Sequence, residues 1–322
     1  MSEVKNPAEL LCGRGVMPLR ELQLYRYGIM DEITSICDKH NIKYILFYGT
    51  LLGAVRHNGF IPWDDDIDIA VPWNDYKKLT RILKQKEYSD RFFPQNIWTD
   101  PKFPLLWTQV RVNGTTNMPA AFYDHDIHWG MCIDVFPLFR AEADEKKRKK
   151  TVEAICRAQS FLEKERTEMT KRTVRGKRQR LINALPNRIR HLIVFAILDK
   201  YIHEPEENGL VSPIDAYEKV FAYSDLLHTG KHVFEDKLYS VPVGYDNVLT
   251  TVYGDYMTPP PEENRGGHEK TLGLIINDVN RDYKEYQAEL RSLVRAKKHD
   301  TRAPGRPGWD AAGVEELLRE ET

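Results

Sequence analysis

Asp64, Asp65, Asp66 and Asp68 crowd into five positions of the chain. Side chains alternate across a strand, so Asp66 and Asp68 point the same way, about 6–7 Å apart along it, with Ile67 and Ile69 turned to the core. Two like charges side by side repel. They become favourable when a divalent cation sits between them, and magnesium (or manganese) takes hard oxygen ligands: one or two carboxylates plus substrate phosphates. An isolated D-x-D is more often a solvated acidic turn or a helix cap, so the pair needs company. Gly49-Thr50, fewer than twenty residues upstream, follows an apolar stretch and offers backbone N–H groups and a hydroxyl to a phosphate. Asp134 stands inside the apolar run Cys132 to Phe136, where a charge is costly unless paired or bound to a metal. Three carboxylates, a phosphate-binding turn and a metal are the parts of a phosphoryl-transfer site.

The flanking elements must bring these groups together. Leu22, Ile29, Ile33, Ile36 and Cys37 recur at helical intervals and predict an amphipathic helix over Leu19 to His40. Tyr44 to Tyr48 predicts a buried strand broken by Gly49-Thr50, and a helix starts at Leu51. Ile67 to Val71 is a second strand and Asp75 to Lys86 a helix. Ile97-Trp98 and Leu106 to Val112 are weaker strands, and Met131 to Phe136 is a strand stopped by Pro137. Asn113-Gly114-Thr115 fits the glycosylation pattern but is read as a turn. After Ala141 a basic helical segment runs to Ile202, interrupted at Pro186, with Glu204 to Pro213 as a loop. A last helix lies near Leu272 to Arg295. The expected organisation is a catalytic core at 1–140, a basic helical segment at 141–202, a part completing the catalytic domain at 203–296, and a flexible tail at 297–322.

The 322 residues, 41% hydrophobic and 30% charged, suffice for a substantial core. A net charge of −1 makes no case for nucleic acid as a partner. Four scattered cysteines with no C-x-x-C pair suggest neither a zinc ribbon nor a disulfide framework, and a reducing, cytoplasmic setting follows. The N-terminus lacks an apolar signal core, and the run Leu192 to Leu198 is too short to span a bilayer.

The motifs make the chain resemble the LicD family, whose named function is phosphocholine transfer, and more loosely the fukutin-related proteins. The resemblance rests on Tyr48 to His57 (YGTLLGAVRH), Gly59 to Ile69 (GFIPWDDDIDI), Ile133 to Leu138 (IDVFPL) and Tyr253 to Met257 (YGDYM), with Pro259-Pro260, Arg265 and His268 beyond. It implies an α/β (α+β) nucleotidyltransferase-like fold, a mixed sheet with helices packed against it, here with the basic helical segment added. It implies that Gly49 and Thr50 form the phosphate-binding turn and that Asp66, Asp68 and Asp134 are the catalytic, metal-binding carboxylates. Asp64 and Asp65 would support them, and Arg265 and His268 would join the site. The implied reaction moves a phospho-alcohol from a CDP-linked donor to a hydroxyl of a cell-surface glycan, such as lipopolysaccharide or teichoic acid, or its lipid-linked precursor, and releases CMP. Choline, ethanolamine, ribitol and glycerol all remain open as the alcohol. Pro72-Trp73, where a polar or basic residue is expected, and Phe139, where an acid is expected, depart from the pattern and bear on the surroundings of the site.

Other residues carry competing readings. Arg56 either holds a phosphate in its planar fork or makes a surface ion pair, in even balance. His57 reads as a bystander. Asp124 to His128 mimics a zinc site, but a His-x-x-His spacing is common by chance. Trp63, Trp107, Tyr123 and Trp129 could stack on a base or cage a quaternary ammonium, though each alone reads as core. The basic run from Lys146 to Arg190 is either a solvated helical face or a means of peripheral attachment to an anionic membrane, with the inner membrane face as its expected location. Two rival functions stand beside the main one. One is a nucleotidyltransferase that moves a nucleotide to a sugar, RNA or protein and releases pyrophosphate. The other is a non-catalytic scaffold of the same fold.

Overall fold

In a computed structural model, residues 15, 17–170 and 176–300 are described. The first elements are α1 (Leu19–Lys39), β1 (Ile45–Leu46), α2 (Tyr48–His57), β2 (Asp68–Pro72), α3 (Trp73–Leu83), α4 (Lys86–Ser89), β3 (Phe92–Gln95), β4 (Thr108–Val112), β5 (Thr116–Pro119) and β6 (Cys132–Ala141). Three helices follow: α5 (Glu145–Thr170), α6 (Lys177–Ala184) and α7 (Asn187–Tyr201). The chain then adds β7 (Leu210–Pro213), β8 (Phe221–Ala222), α8 (Tyr223–Leu227), β9 (Thr229–Phe234), β10 (Lys237–Pro242) and α9 (Tyr245–Tyr253). It closes with α10 (Glu269–Leu272), β11 (Ile275–Asp278) and α11 (Tyr283–Asp300).

A mixed sheet runs in the order β1-β2-β6-β4-β3, with β7 and then β8 attached to β6. The pair at its centre, β2 and β6, is parallel, and the other pairings are antiparallel. Ile67, Ile69, Val71, Ile133, Val135 and Leu138 are buried, as central strands packed between helices require. The α1 helix presents Leu22, Ile29, Met30, Ile33, Ile36 and Cys37 to this core, at the spacing the sequence predicts. A second, smaller core forms where β5 pairs with β11 and α11 packs beside them.

Several boundaries differ from expectation, each for a local reason. The strand at Tyr44 is shorter, because helix α2 begins at Tyr48 and takes Gly49 and Thr50 into its first turn. Ile97-Trp98 is not a strand; β3 lies just before it, and Asn96 and Thr99 fold the intervening chain into a side-chain-bonded turn. Pro137 does not stop β6. The antiparallel neighbour of β6 changes there, from β4 up to Val135 to β7 from Leu138, so the missing N–H falls in the gap between two ladders. The segment read as one helix from Leu272 contains β11, because Ile275 to Asp278 pair with β5. Part of the loop read at Glu204 to Pro213 is strand β7. Of the tail expected from Lys297, α11 extends through Asp300 and the rest lies outside the described residues.

Candidate active site

The parallel register pairs Asp68 with Asp134, so two neighbouring central strands carry a carboxylate side by side near their N-terminal ends. Asp68 lies at the start of β2, buried, and its backbone N–H donates to Thr50 Oγ1 at 2.8 Å. That bond ties the first turn of α2 to β2. Thr50 is itself buried, so its oxygen supports Asp68 from below, a different contact from the phosphate bond read from the sequence. Gly49 lies nearer the acid loop. A Cβ at this position would come within 2.6 Å of Asp64 Oδ2, so a larger residue would push the Asp64 carboxylate away from the helix start. The helix N-terminus, with its free N–H groups, thus faces the aspartates, where an anion is favoured.

Few bonds balance the charge of the aspartates. Burial, then the charge of Asp66, pushes the Asp64 carboxyl up to about 8. Burial first, then Asp66 and Asp134, holds Asp68 well above the usual carboxylate range. Burial pushes Asp134 up to about 6, against a hydrogen bond from Gln109. Asp134 Oδ1 is buried without a hydrogen-bond partner. Asp65 is the exception. It accepts the backbone N–H of His268 at 3.1 Å and pairs with His268 Nδ1 at 2.9 Å. The bond to His268, working against burial, draws Asp65 below its ordinary value. The same bond pushes His268 up to about 9, so its half-exposed ring stays cationic at neutral pH, with Nε2 3.7 Å from Asp66.

Oxygen donors that repel one another, one of them uncommitted, suit a hard divalent cation in chemical type. Among the described residues, no three Asp, Glu, His or Cys side chains are already gathered round one point.

Two cavities meet at Asp66. The first, about 420 Å³, is lined by Gly49, Arg56, Trp63, Asp64, Asp66, Asp68 and residues of the Tyr253 to Gly266 segment. Here Arg265 lies over the Trp63 ring at 4.7 Å, and Arg56 Nη1 donates to the carbonyl of Tyr256 at 2.6 Å. Arg56 therefore makes neither the aspartate ion pair nor a purely exposed contact. The second cavity, about 190 Å³, is lined by Asp65, Asp66, Asp134, His268, Arg26 and an apolar wall that includes Trp129. A larger groove of about 900 Å³ lies between α3 and α7, at the other end of β2, and holds none of these carboxylates.

Gly49, Arg56, Trp63, Asp66, Asp68, Asp134, Arg265 and His268 are thus assembled at one end of the sheet, with Thr50 beneath them. The two departures from the family pattern are not. Pro72-Trp73 and Phe139 sit towards the far ends of β2 and β6, about 13–17 Å along the strands, with Trp73 and Phe139 in the core. They do not shape the surroundings of the carboxylates. The zinc-like His128 is a core residue: Nε2 meets Asn113 Oδ1 at 3.0 Å, Nδ1 accepts the Gly130 N–H, and the ring stacks on Phe93. His57 packs edge-on to Trp63. Trp107 packs on Phe136.

Two residues went unread in the sequence. Asp215, half-buried, accepts the Tyr48 hydroxyl at 2.8 Å and adds its charge to the field that raises Asp68. Arg26 stands in the buried stripe of α1, four residues after Leu22 and four before Met30. A charge in the apolar register of an amphipathic helix was its available signal.

The family model described as "LicD/FKTN/FKRP, nucleotidyltransferase domain" matches residues 41–178. Over 281 residues the chain is 29% identical to the lipopolysaccharide cholinephosphotransferase LicD of Haemophilus influenzae, covering 81% of this chain and 99% of that protein. A shorter stretch of 74 residues is 36% identical to mouse ribitol 5-phosphate transferase FKRP, covering 21% of this chain and 14% of that protein. An uncharacterised Rickettsia prowazekii protein is 49% identical over 61 residues, 19% of this chain and 23% of its own length. The assembled carboxylates and these matches agree: the chain carries a LicD-type nucleotidyltransferase domain at residues 41–178 and is similar to the Haemophilus LicD protein over most of its length.

Proposed function

We propose that this protein is a phosphotransferase that moves a phospho-alcohol, phosphocholine by preference, from a CDP-linked donor to a hydroxyl of a glycan or its lipid-linked precursor. The observation that carries this reading is the pair of cavities sharing Asp66, which gives a donor and an acceptor separate chambers that meet at one carboxylate. The similarity to a cholinephosphotransferase along nearly its whole length supports the choice of group. The donor belongs in the chamber of Gly49, where the start of α2 favours its phosphates and Trp63, Arg56 and Arg265 offer a stacking face and positive charge. Magnesium or manganese held by Asp66, Asp68 and Asp134 would neutralise the phosphates when bound. The acceptor oxygen bonds to the phosphorus distal to cytidine, the bond from that phosphorus to the bridging oxygen breaks, and CMP leaves with the electron pair. Asp134, with its uncommitted Oδ1, is the group suited to take the acceptor's proton. His268, held cationic by Asp65, counters negative charge that builds on the transferred group. Product analysis tests the reading: with CDP-choline and a glycan acceptor, CMP should appear, and only when divalent metal is present. Pyrophosphate from a nucleoside triphosphate, with no CMP from CDP-choline, would move the protein to nucleotide transfer.

A second observation supports peripheral membrane attachment. Helices α6 and α7, set at 107° to each other, expose Leu181, Ile189 and Leu192. Lys177, Arg178, Arg180 and Arg188 are exposed on the same two helices, and Lys146, Lys147, Lys149 and Lys150 are exposed on α5. Among the described residues, no single helix is long and apolar enough to cross a membrane. Basic and apolar groups together suit an anionic lipid surface.

A further inference from the structure

The second cavity contains two guanidinium groups in opposite conditions. Every nitrogen of Arg111 has a partner: Nε donates to Gln95 Oε1 at 2.8 Å, Nη1 to the Gly130 carbonyl at 2.7 Å, and Nη2 to Gln109. Arg26 is only 5% exposed, yet its Nε and Nη1 are buried without a hydrogen-bond partner among the described residues. A guanidinium cannot shed its proton to escape burial. Leaving it unpaired is costly, and Asp65, a carboxylate close enough to feel its charge, has turned Oδ1 to His268. Both arginines line the chamber that also holds Asp66 and Asp134.

We infer that Arg26 receives an anionic substituent of the acceptor, a phosphate or a carboxylate close to the attacked hydroxyl. This rests on the proposed transfer reaction for the word acceptor, and on geometry alone for the anion. An Arg fork matches either anion with two parallel hydrogen bonds. The donor's phosphates have their own place on the Gly49 side of Asp66. Beside Arg26 itself a quaternary ammonium is disfavoured, because it would meet the unpartnered guanidinium, although Asp65, Asp66 and Asp134 line other parts of the same chamber. The chamber therefore suits a sugar that lays its apolar face on that wall and turns an acidic group to Arg26.

The test compares three acceptors of one sugar type, neutral, phosphorylated and carboxylated, in wild type, Arg26→Gln and Arg26→Lys. Wild type should prefer the anionic acceptors, and whichever of phosphate or carboxylate gives the lower KM names the natural substituent. Arg26→Gln should raise the KM for the anionic acceptor about 10- to 100-fold and abolish the preference, while the donor KM moves far less. Arg26→Lys should recover part of the preference, which a variant that merely failed to fold would not. Equal rises in donor and acceptor KM, or a wild type indifferent to acceptor charge, would overturn the assignment. Titration of inorganic phosphate into the donor-free protein, followed by calorimetry, separates this inference from the transfer reaction. Loss of phosphate affinity in Arg26→Gln upholds the subsite even if no CMP is ever released. Unchanged affinity refutes it.

Discussion

Two regions of this molecule bury charge, and they do so in opposite ways. In the helical segment, Arg190 of α7 is inside the protein with Glu165 of α5 as its partner. Nη1 reaches Glu165 Oε2 at 2.6 Å and the Phe161 carbonyl at 2.9 Å, and Nη2 takes the other carboxylate oxygen. The two charges cancel, and they bind the two helices to each other. At the sheet edge, Asp64, Asp66, Asp68 and Asp134 face one another, and Arg26 lies nearby with two nitrogens unused. Among the described residues, His268 beside Asp66 and Gln109 on Asp134 offset only part of that charge. Arg190 Nε is also without a hydrogen-bond partner among the described residues, so the difference lies in the counter-charge: a buried charge with its opposite in place serves the fold, whereas buried charges without one are kept for something that arrives from outside.

The sharpest way to break this contrast is to neutralise one charge in each region. Asp68→Asn and Asp66→Asn should each lower CMP release by about 10³-fold or more, by analogy with removal of a group that acts mainly in the transition state. Their melting temperature should hold or rise, because a repelling charge has gone. Glu165→Ala should do the reverse. It leaves Arg190 buried and alone and should cost about 3–5 kcal/mol of stability in a denaturant titration. Folded Glu165→Ala protein should retain its turnover per molecule. Near-normal turnover in either aspartate variant would remove the distinction.

The acid end answers to pH as well. Asp64 and Asp134 are raised to about 8 and about 6, above the ordinary aspartate value of 3.8. The folded protein therefore keeps protons that the unfolded chain would release. That contribution to stability is complete below about pH 4 and is lost as pH rises towards 8. A divalent cation can replace the protons, so the rise in melting temperature on adding magnesium should grow from pH 5 to pH 8. Protection that stays flat across this range, or none at all, would argue that the carboxylates do not hold the ion.

How much of this contrast could be read beforehand depended on whether a residue's role is local. Asp66, Asp68, Asp134 and Gly49 were legible because their types and spacing in short strands and turns state a chemistry. The α1 helix was legible because its apolar period is long and regular. Thr50 was assigned to a phosphate because the neighbour that uses its oxygen, the Asp68 amide, is 18 residues away. Asp215 and Arg26 gained their roles only through packing between distant segments. So did Pro137, whose tolerance in β6 needs both β4 and β7 to be known. The Arg190–Glu165 pair spans 25 residues of a segment that reads as uniformly basic and solvated.

Thr50→Val sharpens the boundary between fold and site. The swap removes the acceptor of the Asp68 N–H and leaves that amide buried and unpaired, at a cost of about 1–3 kcal/mol. Stability should fall, and donor affinity should weaken less than turnover, because the change acts through the position of Asp68. Unchanged melting temperature with a selective loss of donor affinity would return Thr50 to the role of a phosphate contact.

The smallest effect per residue is expected on the outer face of the helical segment, where charge is exposed and individually weak. The proposal there is attachment to an anionic membrane, motivated by exposed lysines of α5 and by Leu181, Ile189 and Leu192 among basic residues of α6 and α7. Each basic residue near such a surface contributes about 1 kcal/mol, and the attraction is screened within about 8–10 Å at physiological salt. Replacing Lys146, Lys147, Lys149 and Lys150 with glutamate should therefore lower cosedimentation with anionic vesicles, and added salt should weaken wild-type binding in the same direction. CMP release with a short soluble acceptor should persist, since none of these lysines lines either cavity at Asp66. Leu181→Ser with Leu192→Ser separates the two components: if apolar groups insert, binding falls even at low salt. Equal binding of the wild type to neutral and anionic vesicles, or none to either, would leave the segment joined to the catalytic end only through its packed interior, with a solvated surface outside.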